Sequence, residues 1–228
     1  MPWEYTAHIR SALLPAICWS LFRAAHAIGV DDPFAQTFLL RLLTAVLALW
    51  AVRSFVRSTR HLVLPRFRET FLLLSFFLWF LPFLHVRFTG ETWSGLFMLL
   101  GLAALLSPGE VRARHLRTGF FFGLAFLCRP PTLAMAIGVL FWLIIIHREE
   151  LRNAFRLIIG ILVVATLGIA LDGWFYGSFS LTAWNYLRMG AAGNVDHPFT
   201  AFPWWYYFAW VIKYAIPVFG LPILMAFG

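Results

Sequence analysis

The sequence predicts an all-α polytopic membrane protein, a bundle of transmembrane helices. Of its 228 residues, 61% are hydrophobic and 12% are charged, and the mean hydropathy is +0.80. An ordinary soluble domain carries about 45–50% apolar and about 25% charged residues. The apolar residues also form blocks of 16 to 29 residues separated by short arginine-rich stretches, which is typical of bilayer-crossing helices. A soluble domain, a coiled coil, a disordered tail and a disulfide scaffold are therefore excluded.

Seven apolar blocks are candidates for entering the bilayer. Several are near or below the roughly 17 residues that a perpendicular crossing needs, so we expect short or half-inserted helices among them. No internal repeat or low-complexity linker separates the blocks, and we therefore treat residues 1–228 as a single domain. The blocks are Ser11–Val30, Gln36–Val52, Thr70–Val86, Thr92–Ser107, Thr118–Ile146, Phe155–Leu171 and Tyr207–Phe227.

The basic residues predict the orientation. The formal net charge is +8, and 11 of the 17 arginines lie in three stretches, Arg53–Arg68, Arg112–Arg117 and Arg148–Arg156. Clusters beside membrane segments indicate the cytoplasmic side, which places Arg87–Glu91 and Asp172–Tyr206 on the opposite face. Nucleic-acid binding would need the basic residues on a solvated face, so we expect no nucleic-acid partner.

One block predicts a broken helix. The 29 residues of Thr118–Ile146 span only ~43 Å as a helix, too little for two crossings. Arg129-Pro130-Pro131 lies near the middle of the block. Proline lacks the N–H that continues a helix, so we predict two short helices or a re-entrant hairpin there.

The first apolar block is poorly suited to span the bilayer as a single regular helix. Pro15, Arg23 and His26 interrupt the apolar character of Ser11–Val30. A plain crossing would put the preceding residues in the cytoplasm, whereas a block that only dips into the bilayer leaves residues 1–10 as the end of an extracytoplasmic loop. We favour the dip, because it gathers the polar and aromatic residues on one face.

The interval 172–206 is the longest hydrophilic part of the chain. Aromatic faces can pack on the C–H faces of a sugar ring, while Asn, Asp and Arg can bind its hydroxyls. The same composition also fits an interfacial aromatic belt with turn-forming residues, and both interpretations remain open at this point. The polar members are Asp172, Asn185, Arg188, Asn194, Asp196 and His197, and the tyrosines and tryptophans are Trp174, Tyr176, Trp184, Tyr186, Trp204, Trp205 and Tyr206.

Several charged side chains lie in or beside apolar blocks. Arg23, Arg41 and Arg129 would each cost a few kcal/mol facing lipid at mid-depth, so they point into the bundle or snorkel to its end. Arg129 adjoins the predicted break, where unwound backbone and helix dipoles favour an anion such as a substrate phosphate. Arg87 and Glu91 lie four residues apart, which predicts a local ion pair.

Soluble-enzyme motifs are missing from the sequence. It contains no Gly-rich phosphate loop, no GxSxG or HExxH motif and no paired Cys/His spacing, so we expect neither a cofactor nor a metal ion. Cys18 and Cys128 lie within apolar blocks and are interpreted as small core side chains.

An ordered set of short motifs resembles a known family. Asp172–Gly177, Ala183–Leu187 and Pro203–Tyr207 are similar to segments of the glycosyltransferase family 22 mannosyltransferases, the multi-pass enzymes of GPI-anchor and N-glycan assembly and their bacterial relatives. The chain departs from the pattern at Ala183, where the family usually has proline, and His197-Pro198 is displaced from Trp204. Further matches in the same order are Trp3–Tyr5 with Ile9–Ser11, Arg87 with Gly90–Ser94, and Leu127–Thr132.

The resemblance implies a GT-C fold and an inverting transfer of a hexose, typically mannose. The expected partners are a polyprenyl- or dolichyl-phosphate sugar donor, a glycan or glycolipid acceptor, and membrane lipids. The family's presumed base is the Asp of a His-Pro-Asp-Glu motif that precedes Trp3–Tyr5, and this chain lacks that motif. The family is also roughly twice as long, so we expect truncation at both ends. Glu4 is the carboxylate left near the base position.

The resemblance and the chemistry together predict the site. Cations stabilise a departing lipid phosphate, a role open to Arg10, Arg87 and Arg129. The location implied is the cytoplasmic membrane of a bacterium or the endoplasmic reticulum of a eukaryote. The alternative function is a non-catalytic subunit that binds a lipid-linked glycan, and a transporter would show inverted repeats, which we do not detect. The expected substrate-binding residues are Arg10, Arg87, Glu91, Arg129, Asp172, Tyr176, Asn185, Trp204, Trp205 and Tyr206.

Overall fold

The described part of the chain is built from α-helices and short helical turns. The structure, a computed structural model, describes residues 3–191 together with residues 203, 205 and 206. No β-strand occurs among these residues, so the predicted all-α class is confirmed for them. The α-helices are α1 (Trp3–Thr6), α2 (Leu13–Ala27), α3 (Pro33–Thr59), α4 (Arg68–Phe77), α5 (Leu81–Leu84), α6 (Gly90–Leu106), α7 (Val111–Cys128), α8 (Thr132–Phe141), α9 (Leu151–Tyr176) and α10 (Thr182–Ala191).

The chain divides into two compact units, Met1–Ala191 and Ala192–Gly228. The α-helices named above all lie in the first unit. Of the second unit, the structure describes a turn in which the Tyr206 backbone N–H donates to the Pro203 carbonyl at 2.8 Å.

Four helices form the core of the first unit, in the packing order α3, α6, α7, α9. Buried Trp93 near the start of α6 donates through Nε1 to Thr44 Oγ1 of α3 at 3.1 Å. Gly119 lies against Leu157, and Leu127 lies against Gly168. The residue numbers rise together along the two helices, so α7 and α9 are parallel. Since α6 and α7 are joined by a short turn and pack together, they are antiparallel. One end of this unit therefore holds the start of α6 with the ends of α7 and α9.

The α7–α9 contact depends on glycine. A Cβ atom on Gly119 would lie 2.0 Å from the Leu157 carbonyl oxygen, and one on Gly160 would lie 2.6 Å from the Leu116 carbonyl oxygen. Real side chains do not tolerate such distances, so these positions allow the two backbones to touch. Small residues serve the same purpose in packed transmembrane helices.

The proline break is confirmed. Helix α7 ends at Cys128 and α8 begins at Thr132, with Arg129-Pro130-Pro131 between them. The Arg129 backbone N–H still donates to Ala125 O at 2.9 Å, but the next two residues have no N–H to donate. The helix therefore stops at this point, and α8 continues into a π-helical turn, Trp142–Ile146.

Some helices differ from the apolar blocks. Helix α7 begins at Val111, so Arg112–Arg117 lies inside the helix and not in a loop before it. Arginine is a good helix former, which allows the helix to extend through this stretch. The block Thr70–Val86 overlaps two helices, α4 and α5. Pro82 lies at the start of α5, where its missing N–H prevents a continuous helix.

Candidate active site

A cavity of about 590 Å³ lies at the end of the first unit where α6 begins and α7 and α9 end. We call it the motif cavity, because segments from residue 5 to residue 176 that carry the family resemblance all contribute to its wall. Gly90 and Cys128 come together there, with only 3.0 Å between a Cβ built on Gly90 and the Cys128 carbonyl oxygen. The lining residues are Tyr5, Arg10, Ser11, Leu14, Pro15, Gly90, Glu91, Leu127, Cys128, Phe175 and Tyr176.

Asp172 anchors the wall of the motif cavity. Its side chain is buried, with 1% of the residue exposed. Oδ1 accepts hydrogen bonds from the Ala12 backbone N–H at 2.7 Å and from Ser11 Oγ at 3.0 Å, and Oδ2 accepts one from Thr182 Oγ1 at 2.7 Å. Both carboxylate oxygens are thus occupied by protein donors. The sequence predicted a substrate-binding carboxylate here, and the structure shows it tying α9 to the starts of α2 and α10.

Tyr176 and Asn185 hold the same N-terminal segment. Tyr176 donates through its hydroxyl to the Arg10 carbonyl at 2.7 Å, and Asn185 Nδ2 donates to the His8 carbonyl at 3.2 Å. The His8 ring stacks on Tyr176 with 4.2 Å between ring centroids. Three residues that the sequence singled out, Asp172, Tyr176 and Asn185, therefore bind the segment 8–12.

His8 was missed by the sequence analysis. Its φ is 48°, a left-handed conformation that costs a non-glycine residue free energy and that surrounding contacts must maintain. The stacking on Tyr176 and the hydrogen bond from Asn185 supply those contacts. The only sequence signal was its place between Trp3–Tyr5 and Ile9–Ser11, and a lone histidine carries little information.

Arg129 and Glu91 form an ion pair at the rim of the motif cavity. Their side chains are 35% and 60% exposed, respectively. Arg87 instead lies over the Phe83 ring, with its Cζ 5.1 Å from the ring centroid. The predicted local pair between Arg87 and Glu91 is therefore wrong. Because α6 begins only at Gly90, after the extended Thr89, Arg87 is not on the same helix as Glu91 and the i,i+4 rule does not apply.

The other site residues predicted from the sequence do not share one location. Arg10 lines the motif cavity. The Glu4 side chain and Trp204 lie outside the described residues. Trp205 and Tyr206 belong to the second unit.

The other arginines within apolar blocks lie on the outside of the first unit. Arg23 and Arg41 are both exposed, and Arg23 lies 5.8 Å from the Trp19 ring centroid. Their interpretation as residues pointing into the bundle is thus excluded. Cys18 and Cys128 are free thiols, and Cys128 is buried in the core.

Sequence comparisons identify relatives along nearly the whole chain. A Xenopus laevis protein named GPI alpha-1,2-mannosyltransferase 3 is 24% identical over 96% of this chain. The Homo sapiens protein of that name is 22% identical over 92% of it, and the GPI mannosyltransferase 3 of Trypanosoma brucei brucei is 26% identical over 91%. The chain spans about two fifths of these relatives: 40%, 38% and 44% of their lengths, respectively. No solved structure matches.

The family assignment rests on more than these pairwise similarities. A sequence model of the Alg9-like mannosyltransferase family, glycosyltransferase family 22, matches residues 1–227. The motifs at 5, 10–11, 90–91, 127–128 and 175–176, which carried the resemblance, meet at one cavity. The predicted family is therefore confirmed: this chain belongs to the Alg9-like mannosyltransferase family.

Proposed function

We propose that this chain contributes the substrate cavity of a mannosyltransferase. The enzyme would move a hexose from a polyprenyl- or dolichyl-phosphate donor to a glycan or glycolipid acceptor. The observation that carries the proposal is that the family motifs between Tyr5 and Tyr176, distant in sequence, converge on the motif cavity. At about 590 Å³, the cavity is in the range of small-molecule sites, which is about 300–1,000 Å³.

The cavity combines surfaces suited to both halves of such a donor. Leu14, Leu127 and Phe175 provide apolar wall for the first isoprene units of the lipid. Arg10 in the wall and Arg129 at the rim carry the positive charge that a departing lipid phosphate needs. Such charge accelerates transfer when it is held where negative charge develops.

The acceptor hydroxyl also requires a general base within hydrogen-bonding reach. Among the described residues, Glu91 is the carboxylate that lines the cavity, and it is paired with Arg129. Asp172 is buried, and both of its carboxylate oxygens accept hydrogen bonds from the protein. These protein partners compete with an acceptor hydroxyl for both carboxylates, so we keep Glu4 as the candidate base within this sequence and expect transfer by this chain alone to be impaired.

The proposal includes a polytopic membrane arrangement. Two helices, Pro33–Leu62 and Leu151–Tyr176, are long and apolar enough to cross a bilayer. Their exposed apolar side chains recur at helical spacing, as expected of lipid-facing surfaces: Phe38, Leu42, Val46 and Leu49 on α3, and Phe155, Ile159, Leu162, Val163 and Leu167 on α9.

The helix directions support one orientation. The end of α3 and the starts of α7 and α9 carry the arginine stretches, while the motif cavity lies at the end of α7 and α9. With the arginines on the cytoplasmic side, the cavity faces the extracytoplasmic space or the lumen. The protein would lie in the cytoplasmic membrane of a bacterium or the endoplasmic reticulum membrane of a eukaryote.

A non-catalytic subunit that binds a lipid-linked glycan is the second candidate. The observation in its favour is the engagement of Glu91 by Arg129, which leaves the described part of the cavity without an available base. Such a subunit would use the same cavity and the same donor chemistry, and would differ only in turnover.

The test is a binding and transfer assay with the purified chain in detergent and radiolabelled dolichyl- or undecaprenyl-phosphate mannose. We expect weak binding that Arg129→Ala reduces, and no measurable transfer. The matched control Arg112→Ala removes an exposed arginine at the other end of α7 and should leave binding unchanged. Robust transfer that Glu4→Gln abolishes would show a functional base in this chain, and binding that is indifferent to Arg129→Ala would remove that residue from the phosphate site.

A further inference from the structure

A second charged cavity lies at the opposite end of the first unit, between the last turns of α3 and the start of α4. Its volume is about 540 Å³. We call it the arginine cavity, because its charged lining residues are Arg53, Arg57, Arg60, Arg68 and Glu69. It shares no lining residue with the motif cavity.

The charges of the arginine cavity are unbalanced. Four arginines and one glutamate line it, which gives a formal charge of +3. Among the described ion pairs, none involves these arginines or Glu69. The one hydrogen bond that these guanidinium groups make to the described protein runs from Arg68 Nε to the Val63 carbonyl at 3.3 Å. Arg53, Arg57 and Arg60 are exposed, so solvent screens part of their mutual repulsion. A bound anion would offset the remaining repulsion and stabilise this arrangement.

The positive-inside rule explains why arginines lie at this end, but it does not explain why they share a cavity. Arg66 belongs to the same stretch and has a different environment, with its Cζ 4.6 Å from the Phe67 ring centroid. The guanidinium fork binds phosphate oxygens in pairs. A phosphate group therefore matches the chemistry of this cavity.

The walls of the arginine cavity are apolar. Phe71, Leu72 and Phe76 of α4 line it, and Phe77 beside them is among the exposed large side chains. An adjoining cavity of about 530 Å³ shares Arg57 and continues the apolar surface with Trp50, Phe120 and Phe121. A free phosphate would use the arginines and leave these walls uncovered, whereas an amphiphile with an anionic head would contact both.

We propose that the arginine cavity binds the headgroup of an anionic phospholipid, with the acyl chains lying along α4. The proposal rests on the membrane orientation proposed above, in which this end is cytoplasmic, where basic pockets between helices meet anionic headgroups. The arginine cavity shares no lining residue with the motif cavity, so lipid binding at one and donor binding at the other can fail independently.

The test uses the full chain in a neutral detergent and native mass spectrometry to count bound lipids. Phosphatidylglycerol is compared with phosphatidylcholine of the same acyl chains, and inorganic phosphate is added as a competitor. We expect phosphatidylglycerol to bind preferentially and to resist inorganic phosphate at equal concentration. Arg57→Gln with Arg60→Gln should weaken its binding about tenfold or more, because each arginine near a headgroup contributes about 1 kcal/mol, a fivefold change in affinity.

Two controls make the result decisive. Arg112→Gln with Arg152→Gln removes two exposed arginines that line none of the described cavities, and it should leave phosphatidylglycerol binding unchanged. Glu69→Gln removes the carboxylate of the cavity and should tighten binding severalfold, a gain that loss of folding cannot mimic.

Three outcomes would overturn the proposal. Equal weakening by both arginine pairs would show that only net charge matters. Full displacement by inorganic phosphate would identify the ligand as a soluble anion. Equal binding of phosphatidylcholine would show that the headgroup charge is not recognised.

Discussion

Replacing Asp172 should destabilise the protein through the contacts of its buried carboxylate. The side chain accepts three hydrogen bonds, from Ser11, Ala12 and Thr182. Asp172→Ala leaves the Ala12 N–H and the Thr182 hydroxyl without acceptors in a buried environment. Hydrogen bonds to a charged group contribute about 1.5–3 kcal/mol each, and unpaired buried donors carry a comparable cost. We expect the free energy of unfolding to fall by about 3–5 kcal/mol.

The assay is thermal unfolding in detergent, followed by tryptophan fluorescence. For a chain of this size each kcal/mol corresponds to about 2–4 °C, so Asp172→Ala should lower the Tm by about 10 °C. Asp172→Asn keeps the shape and one acceptor oxygen, and should cost about 1–2 kcal/mol. The matched control Asp31→Asn acts on a carboxylate that is 66% exposed and should change stability by less than about 1 kcal/mol.

A double-mutant cycle separates this anchoring role from a substrate contact. Asp172→Asn and Thr182→Val should show a coupling energy of about 1 kcal/mol or more, as expected for residues in direct contact. The reasoning would be refuted if Asp172→Ala unfolded at the same temperature as Asp31→Asn. It would equally be refuted if Asp172→Asn abolished donor binding without lowering the Tm, because the carboxylate would then act on the ligand.

Three further predictions concern packing, the ion pair and topology. Gly119→Ala should destabilise the protein by about 3 kcal/mol or more in chemical unfolding, because its Cβ would overlap the α9 backbone. The control is Gly95→Ala, where a Cβ would meet open space. This control should be neutral or stabilise the protein by up to about 1 kcal/mol. Glu91→Gln should change the Tm little, since the carboxylate of this pair is 60% exposed and such pairs contribute at most about 1 kcal/mol; a loss of more than 3 °C would contradict this. In cysteine-accessibility labelling of intact cells or vesicles, Arg60→Cys should react from the cytoplasmic side and Ser178→Cys from the other, and labelling of both from one side would reject the orientation.

Features encoded locally could be predicted from the sequence. The all-α class follows from the composition and the length of the apolar blocks. A segment that crosses a bilayer as a helix satisfies its backbone hydrogen bonds internally. The break at Arg129–Pro131 follows from the missing N–H groups of two prolines, and helix α7 ends where that rule predicts. Arg10, Glu91 and Tyr176 line the motif cavity, and they were singled out because they lie in motifs of the family resemblance. Leu14 and Pro15 also line it, but they belong to none of those motifs.

Partners that are distant in sequence could not be predicted. Arg129 pairs with Glu91, 38 residues earlier, and Asp172 binds Ala12, 160 residues away. Spacing rules describe one helix at a time and contain no information on which helix ends meet in space. For that reason the anchoring hydrogen bonds of Asp172 were not foreseen, and its contact with substrate stays a prediction. Arg87 was paired with Glu91, although α6 begins between them.

Photo-crosslinking tests most directly the claim that the motif cavity holds the lipid-phosphate sugar donor. The purified chain is irradiated with a polyprenyl-phosphate mannose analogue that carries a diazirine on its first isoprene unit, and the modified peptides are mapped by mass spectrometry. We predict that crosslinks fall on the cavity wall at Leu14, Leu127 and Phe175, and that excess unlabelled donor removes them. Crosslinks confined to the outer apolar faces of α3 and α9, or unaffected by competing donor, would contradict the account.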